Sequence, residues 1–132
     1  MFNSLHQAKE STITNRIMKY LKTQPGFAWK QAGGIYGTAG LPDIIYIKEQ
    51  KRAIRAGEGD DNKIYYIRYP LVFGFEVKRQ SRKKQIPLDD QPARKQKDAT
   101  DIQEEMMKQM EAAGAMCYVV YSRQEVQKIL EG

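Results

Sequence analysis

Hydrophobic positions along the chain change their spacing several times, and each change marks the border of a predicted element. Over residues 4–24, Ile13, Ile17, Tyr20 and Leu21 fall on one helical stripe, and Ser4 with Gln7 has the spacing of a capping box. "PGF" ends that helix. "FAWKQ" predicts a short strand, the glycine-rich stretch 33–40 a loop, and "DIIYI", Asp43–Ile47, a second strand. Residues 48–70 place "AGEGDDN" between two strand-like segments, Ala53–Ile54 and Ile64–Tyr69, and predict a hairpin insertion. A third strand follows Pro70 over 71–80, with Phe73, Phe75 and Val77 on one side and Gly74, Glu76 and Lys78 on the other. A helix is predicted from Thr100 to Ala113 with Ile102, Met106, Met110 and Ala113 as its apolar face, ended by Gly114. "AMCYVVY" predicts a buried strand. Ser122 and Glu125 then open a closing helix that buries Val126, Ile129 and Leu130. The order α-β-β-β-α-β-α predicts one domain over 1–132, an α/β sandwich around a small mixed sheet.

Four polar residues break this pattern. Glu10 lies within the arc of Ile13, Ile17 and Leu21, so it faces the core or the rim of a cleft; an acid rotated outward near the helix start accounts for it equally. Asp43 opens a strand after "GLP", where a turn residue is the plain explanation. Glu76 and Lys78 share a strand face and could form a simple surface ion pair. As a set they point elsewhere, because two or three convergent carboxylates make a hard-oxygen site for Mg²⁺ or Mn²⁺, and a lysine beside it can orient water or offset phosphate charge.

Charge adds a direction to this picture. Lysine and arginine number 22 against 16 acids, a formal net charge of +6. From Lys78 to Lys97 there are eight basic residues and two acids, Asp89 and Asp90, which suits a polyanionic partner or a solvated loop. No apolar run approaches the ~20 residues of a membrane span, and the N-terminus lacks the pattern of a secretory signal. Cys117, a single cysteine, cannot form an internal disulfide and reads as strand filling; a reducing cytoplasm is expected. The glycine-rich loop has no lysine followed by Ser or Thr, so no nucleotide cofactor is expected. His6 reads as a residue of a frayed terminus, and Met106, Met107 and Met110 as core or dimer packing.

"GLPDIIYI" followed by "FGFEVKR" resembles the PD-(D/E)xK nuclease signature. Glu10, Gly40, Pro42-Asp43, Glu76-Val77-Lys78, Gln103 and "AAGAMCYVVYSRQEV" together resemble the virus-type replication-repair nuclease (VRR-NUC) family, over nearly the whole chain outside 48–70. The resemblance implies a restriction-endonuclease-like core. It implies Mg²⁺ or Mn²⁺ held by Asp43, Glu76 and the Val77 carbonyl, with Glu10 closing the site directly or through water, and Lys78 as the catalytic lysine. Gln103 has two explanations, a site role and a capping box with Thr100. Arg79, Arg82, Lys83 and Lys84 would hold the DNA backbone without reading sequence. The implied activity is metal-dependent, structure-selective DNA hydrolysis leaving 5′-phosphate and 3′-hydroxyl ends. Stand-alone members resemble homodimeric four-way (Holliday) junction resolvases of phage, acting in the host cytoplasm. A flap or nicking endonuclease, a non-cleaving binding module of the same fold, and a restriction-type enzyme are the other readings.

Overall fold

The structure is a computed structural model, and it describes residues 9–31, 39–57, 63–79 and 100–132. Seven elements follow in order: α1 (Glu10–Leu21), β1 (Phe27–Lys30), β2 (Ile44–Ala56), β3 (Lys63–Val77), α2 (Asp101–Ala112), β4 (Met116–Val120) and α3 (Arg123–Glu131). The four strands form one mixed sheet in the order β1-β2-β3-β4. The first three are antiparallel; β4 runs parallel to β3, with α2 in the connection between them.

Alternation along β3 divides the core into two layers. Phe73, Phe75 and Val77, with Ile44 and Tyr46 of β2 and Val120 of β4, pack against Ile13, Ile17 and Leu21 of α1 and Val126 of α3. The other side holds Met107 of α2 with Cys117, Val119 and Tyr121. Gly74 lies on this second side, where an added Cβ would stand 2.9 Å from Pro42 Cγ and 3.2 Å from Cys117 Sγ. The chain before β2 therefore packs flat onto β3, which no larger residue would allow.

Several boundaries differ from the sequence-based expectation. α1 begins at Glu10, after an extended Lys9, and ends at Leu21, where Thr23 and Gln24 make tight turn bonds of 3.0 Å to Tyr20 and Leu21 carbonyls. Ser4, His6 and Gln7 lie outside the described residues. Thr14 joins the buried stripe by returning its hydroxyl to the Glu10 carbonyl at 2.9 Å, while Tyr20 is half-buried beneath the Arg123 guanidinium. The hairpin expected at 48–70 is formed by the sheet strands themselves. β2 and β3 run on without a break, in register from Ile44↔Phe75 to Ala56↔Lys63, so a two-stranded arm extends from the sheet. Pro70 sits inside β3, opposite Glu49, where β3 has no β4 neighbour and a missing amide donor is tolerated.

The buried face of α2 also differs. Met107 is fully buried, whereas Ile102 is 61% exposed and Ala113 is the exposed C-cap residue. The inward line is Gln103, Met107 and Met110, at helical spacing. Ile102 instead abuts Gly40, whose backbone at φ +86° passes so close that a Cβ would meet the Ile102 carbonyl at 2.8 Å. Several apolar residues around one helix left its rotation undetermined in the sequence; opposite its first turn the sheet carries Glu76 and Lys78, and a polar residue must face them. Truncation separates the two faces: Met107→Ala should cost about 2–5 kcal/mol in urea unfolding and Ile102→Ala less than about 1 kcal/mol.

Candidate active site

Asp43 stands immediately before β2 and Glu76 near the end of β3, and the β2–β3 register continued by one residue sets them side by side. The Val77 amide donates to Asp43 Oδ2 at 2.7 Å, which ties the two strands together at the sheet end. Lys78 Nζ lies 3.4 Å from Glu76 Oε2, and both side chains are buried. Gln103 joins them from α2. Its Nε2 donates to Glu76 Oε2 at 2.7 Å, and its Oε1 accepts from Lys78 Nζ at 3.3 Å. The same glutamine completes the capping box with Thr100, whose amide donates to Gln103 Oε1 at 2.9 Å. One amide thus makes both the cap and the contacts: the cap orients the group that bridges the acid and the lysine.

Electrostatics in this cluster are unbalanced. Burial pushes the Glu76 carboxyl up to about 8, and the neighbouring Asp43 charge adds to the rise while Lys78 opposes it. Asp43 is also raised, chiefly by burial, with the Val77 amide, Glu76 and Lys78 offsetting part of the effect and Glu10 adding to it. Glu76 Oε1 is buried without a hydrogen-bond partner.

Asp43, half-buried, reaches an open cavity lined by Glu10, Ser11, Thr14, Lys30 and Gln31. The Gln31 amide donates to the Asp43 carbonyl at 2.7 Å, and Lys30 Nζ donates to Asn15 Oδ1 at 3.3 Å. Lys30 was a strand residue without special weight in the sequence; only the pairing of β1 with β2, Lys30 opposite Ile44, brings it to the cavity that Asp43 and Glu10 line. Arg79 follows β3 and is exposed. Arg82, Lys83 and Lys84 lie outside the described residues.

The structure therefore gathers Asp43, Glu76, Val77, Lys78 and Gln103 into one cluster, and places Glu10 on the lining of the cavity that Asp43 borders. Among the described residues no three His, Cys, Asp or Glu side chains gather closely enough to hold a metal ion. The donors present still fit one hard divalent cation: two adjacent carboxylates, one with an orphaned buried oxygen, would carry more negative charge than Lys78 balances once both are ionised, as a bound cation favours. Glu10 lines the same cavity as Asp43, and its charge reaches that carboxyl. Comparison with family models, curated proteins and solved structures gives no match.

The raised Glu76 carboxyl carries a signed prediction. The folded protein holds this proton between pH ~4.5 and 8 and the unfolded chain does not, so stability of the metal-free protein should fall as pH rises through that window. The loss should be on the order of a few kcal/mol. Glu76→Gln should flatten the profile and raise the melting temperature above pH 8; melts in EDTA across pH 4–9 would show it, and an unchanged slope would refute it.

Proposed function

We propose that this protein is a metal-dependent endonuclease acting on branched DNA, of the VRR-NUC kind that its sequence resembles. The observation that carries the reading is the buried Glu76–Lys78 pair beside Asp43, with Glu76 Oε1 left without a donor. A purely structural ion pair would satisfy its oxygens, since an unpaired buried acceptor costs about 1–3 kcal/mol. A bound divalent cation would offset that cost and supply Lewis acidity toward a phosphate oxygen.

The chain's own groups take defined parts. Asp43 and Glu76 are the ligands, with the Val77 carbonyl the third donor that the resemblance implies. Lys78, oriented by Gln103, presents a fixed positive charge that stabilises negative charge developing on the attacked phosphate and positions the attacking water. Glu10 and Lys30 face Asp43 from the open cavity, where Glu10 can hold water and Lys30 can hold a phosphate. The first turn of α1 borders the same cavity. Its N-cap residue Lys9 makes no side-chain cap, and the positive end of the helix dipole favours an anion there. Arg79, Arg82, Lys83 and Lys84 extend the backbone grip without base selection. A symmetric pair of chains would match the two equivalent strands of a four-way junction, which is the reason to propose a homodimeric resolvase over a single-strand nickase.

Cleavage assays with single-stranded, duplex, flap and four-way substrates test this directly. Asp43→Asn and Glu76→Gln should lose Mg²⁺-dependent cutting by at least about 100-fold while the fold and DNA binding persist. Lys78→Met should lose cutting as severely, yet still bind Mg²⁺ by calorimetry. Ca²⁺ should support binding without cutting, because its larger, looser shell positions water poorly. Residual activity near wild type in either acid variant would sink the metal assignment. A monomer by light scattering that nicks one strand would replace the resolvase with a nickase.

A further inference from the structure

The arm formed by residues 48–56 and 63–71 takes no part in the acid cluster. β1 pairs with β2 only as far as Ile47, and β4 with β3 only from Phe73, so among the described strands both arm edges are open. A lone two-stranded ribbon is marginal in water, and this one exposes Tyr65, Tyr66 and Ile64 at 53%, 70% and 53%. Its shaft carries Lys48, Lys51, Arg52, Arg55, Lys63 and Arg68 against a single described acid, Glu49. Glu49 accepts from Arg68 Nε at 2.9 Å, and no described ion pair engages the other five cations. The acids Glu58, Asp60 and Asp61 belong to the connecting segment, outside the described residues.

Register arranges these groups. Tyr66 stands opposite Ala53, with Lys51 and Arg55 two residues to either side of that alanine and Arg68 two residues from the tyrosine. All five occupy the same alternate-residue set as Gly74 and Glu76 on β3. The small alanine leaves an exposed ring framed by three cations. Aromatic rings between cations suit nucleic acid, the rings stacking on bases and the cations holding phosphates. A second copy of the arm would bring like charges together, which disfavours it as the occupant.

We infer that the face bearing Lys51, Arg55, Arg68 and Tyr66 binds DNA beyond the cleavage site. Tyr66 is ten residues from Glu76, about 33 Å along an extended strand, close to one duplex turn of about 34 Å. The arm grips the substrate roughly one turn from the acid cluster. The placement of the cut relative to the arm rests on the nuclease reading; the binding does not.

Binding is measured in EDTA, where no cutting occurs, by fluorescence anisotropy with junctions whose arms extend about 5 or about 15 base pairs. Wild type should bind the longer substrate more tightly. In Lys51→Gln/Arg55→Gln, both exposed positions, that advantage should vanish and the logarithmic salt slope should fall by up to about 1.8, at ~0.9 per phosphate contact. Tyr66→Leu should weaken binding roughly ten-fold, within the ~1–3 kcal/mol of a stacked base, and Tyr66→Trp should restore it. An unchanged slope and length dependence would overturn the assignment. So would an arm variant that alters self-association by light scattering with DNA binding intact, since a second copy would then occupy the arm. Arm-dependent binding by a protein that cuts nothing in Mg²⁺ would uphold this inference and reject the nuclease; Mg²⁺-dependent cutting with arm-independent binding would do the reverse.

Discussion

Burying Glu76 and Lys78 at the end of β3 is the constraint around which this domain is arranged. Both side chains lose most of their hydration, and a 3.4 Å ion pair alone does not offset the loss of two hydrated charges. The surroundings respond with directed partners. Gln103 bridges the acid and the lysine, its own carbonyl oxygen held by the Thr100 amide, and the Val77 amide is spent on Asp43. Gly74 and Gly40 let the segment before β2 and the first turn of α2 approach closely enough for this to happen. Packing therefore serves the polar cluster here, and the orphaned Glu76 oxygen is what remains unsatisfied.

Asp43 connects this buried cluster to solvent. One oxygen is locked by the Val77 amide, while the side chain also borders the open cavity shared with Glu10 and Lys30. A site made this way has a rigid interior and an accessible entrance, as the proposed hydrolysis of a large polyanion would require. Its parts come from the end of the sheet and from helix starts, elements whose positions are set by two packed cores.

The arm poses a different physical problem. Continuous pairing from Ile44 to Ala56 anchors it in the sheet, yet none of the described helices covers its far half. Exposed charges along such a ribbon discourage edge-to-edge pairing between molecules. The same charges, framing tyrosines, are those of the inferred nucleic-acid face, so resistance to edge pairing and the inferred binding would draw on one set of residues.

Alternation and helical spacing were enough to identify the seven elements, their order and the mixed α/β class, because apolar periodicity is local and survives without tertiary context. Glu76 and Lys78 stood out for a related reason, each charge occupying a position where the strand pattern called for an apolar residue; Asp43 stood out only in their company. Contacts between distant segments were not legible. The extent of β2 and β3 depended on cross-strand pairing that carried both through Pro70 and the hydrophilic residues of 48–56. The rotation of α2, which buries Met107 and turns Gln103 inward while Ile102 faces out, depended on which sheet residues it met. Lys30 became a site residue only through its pairing beside β2. Local sequence determines which face an isolated element prefers; the energy of bringing two elements together decides how far each extends and which of its polar groups find one another.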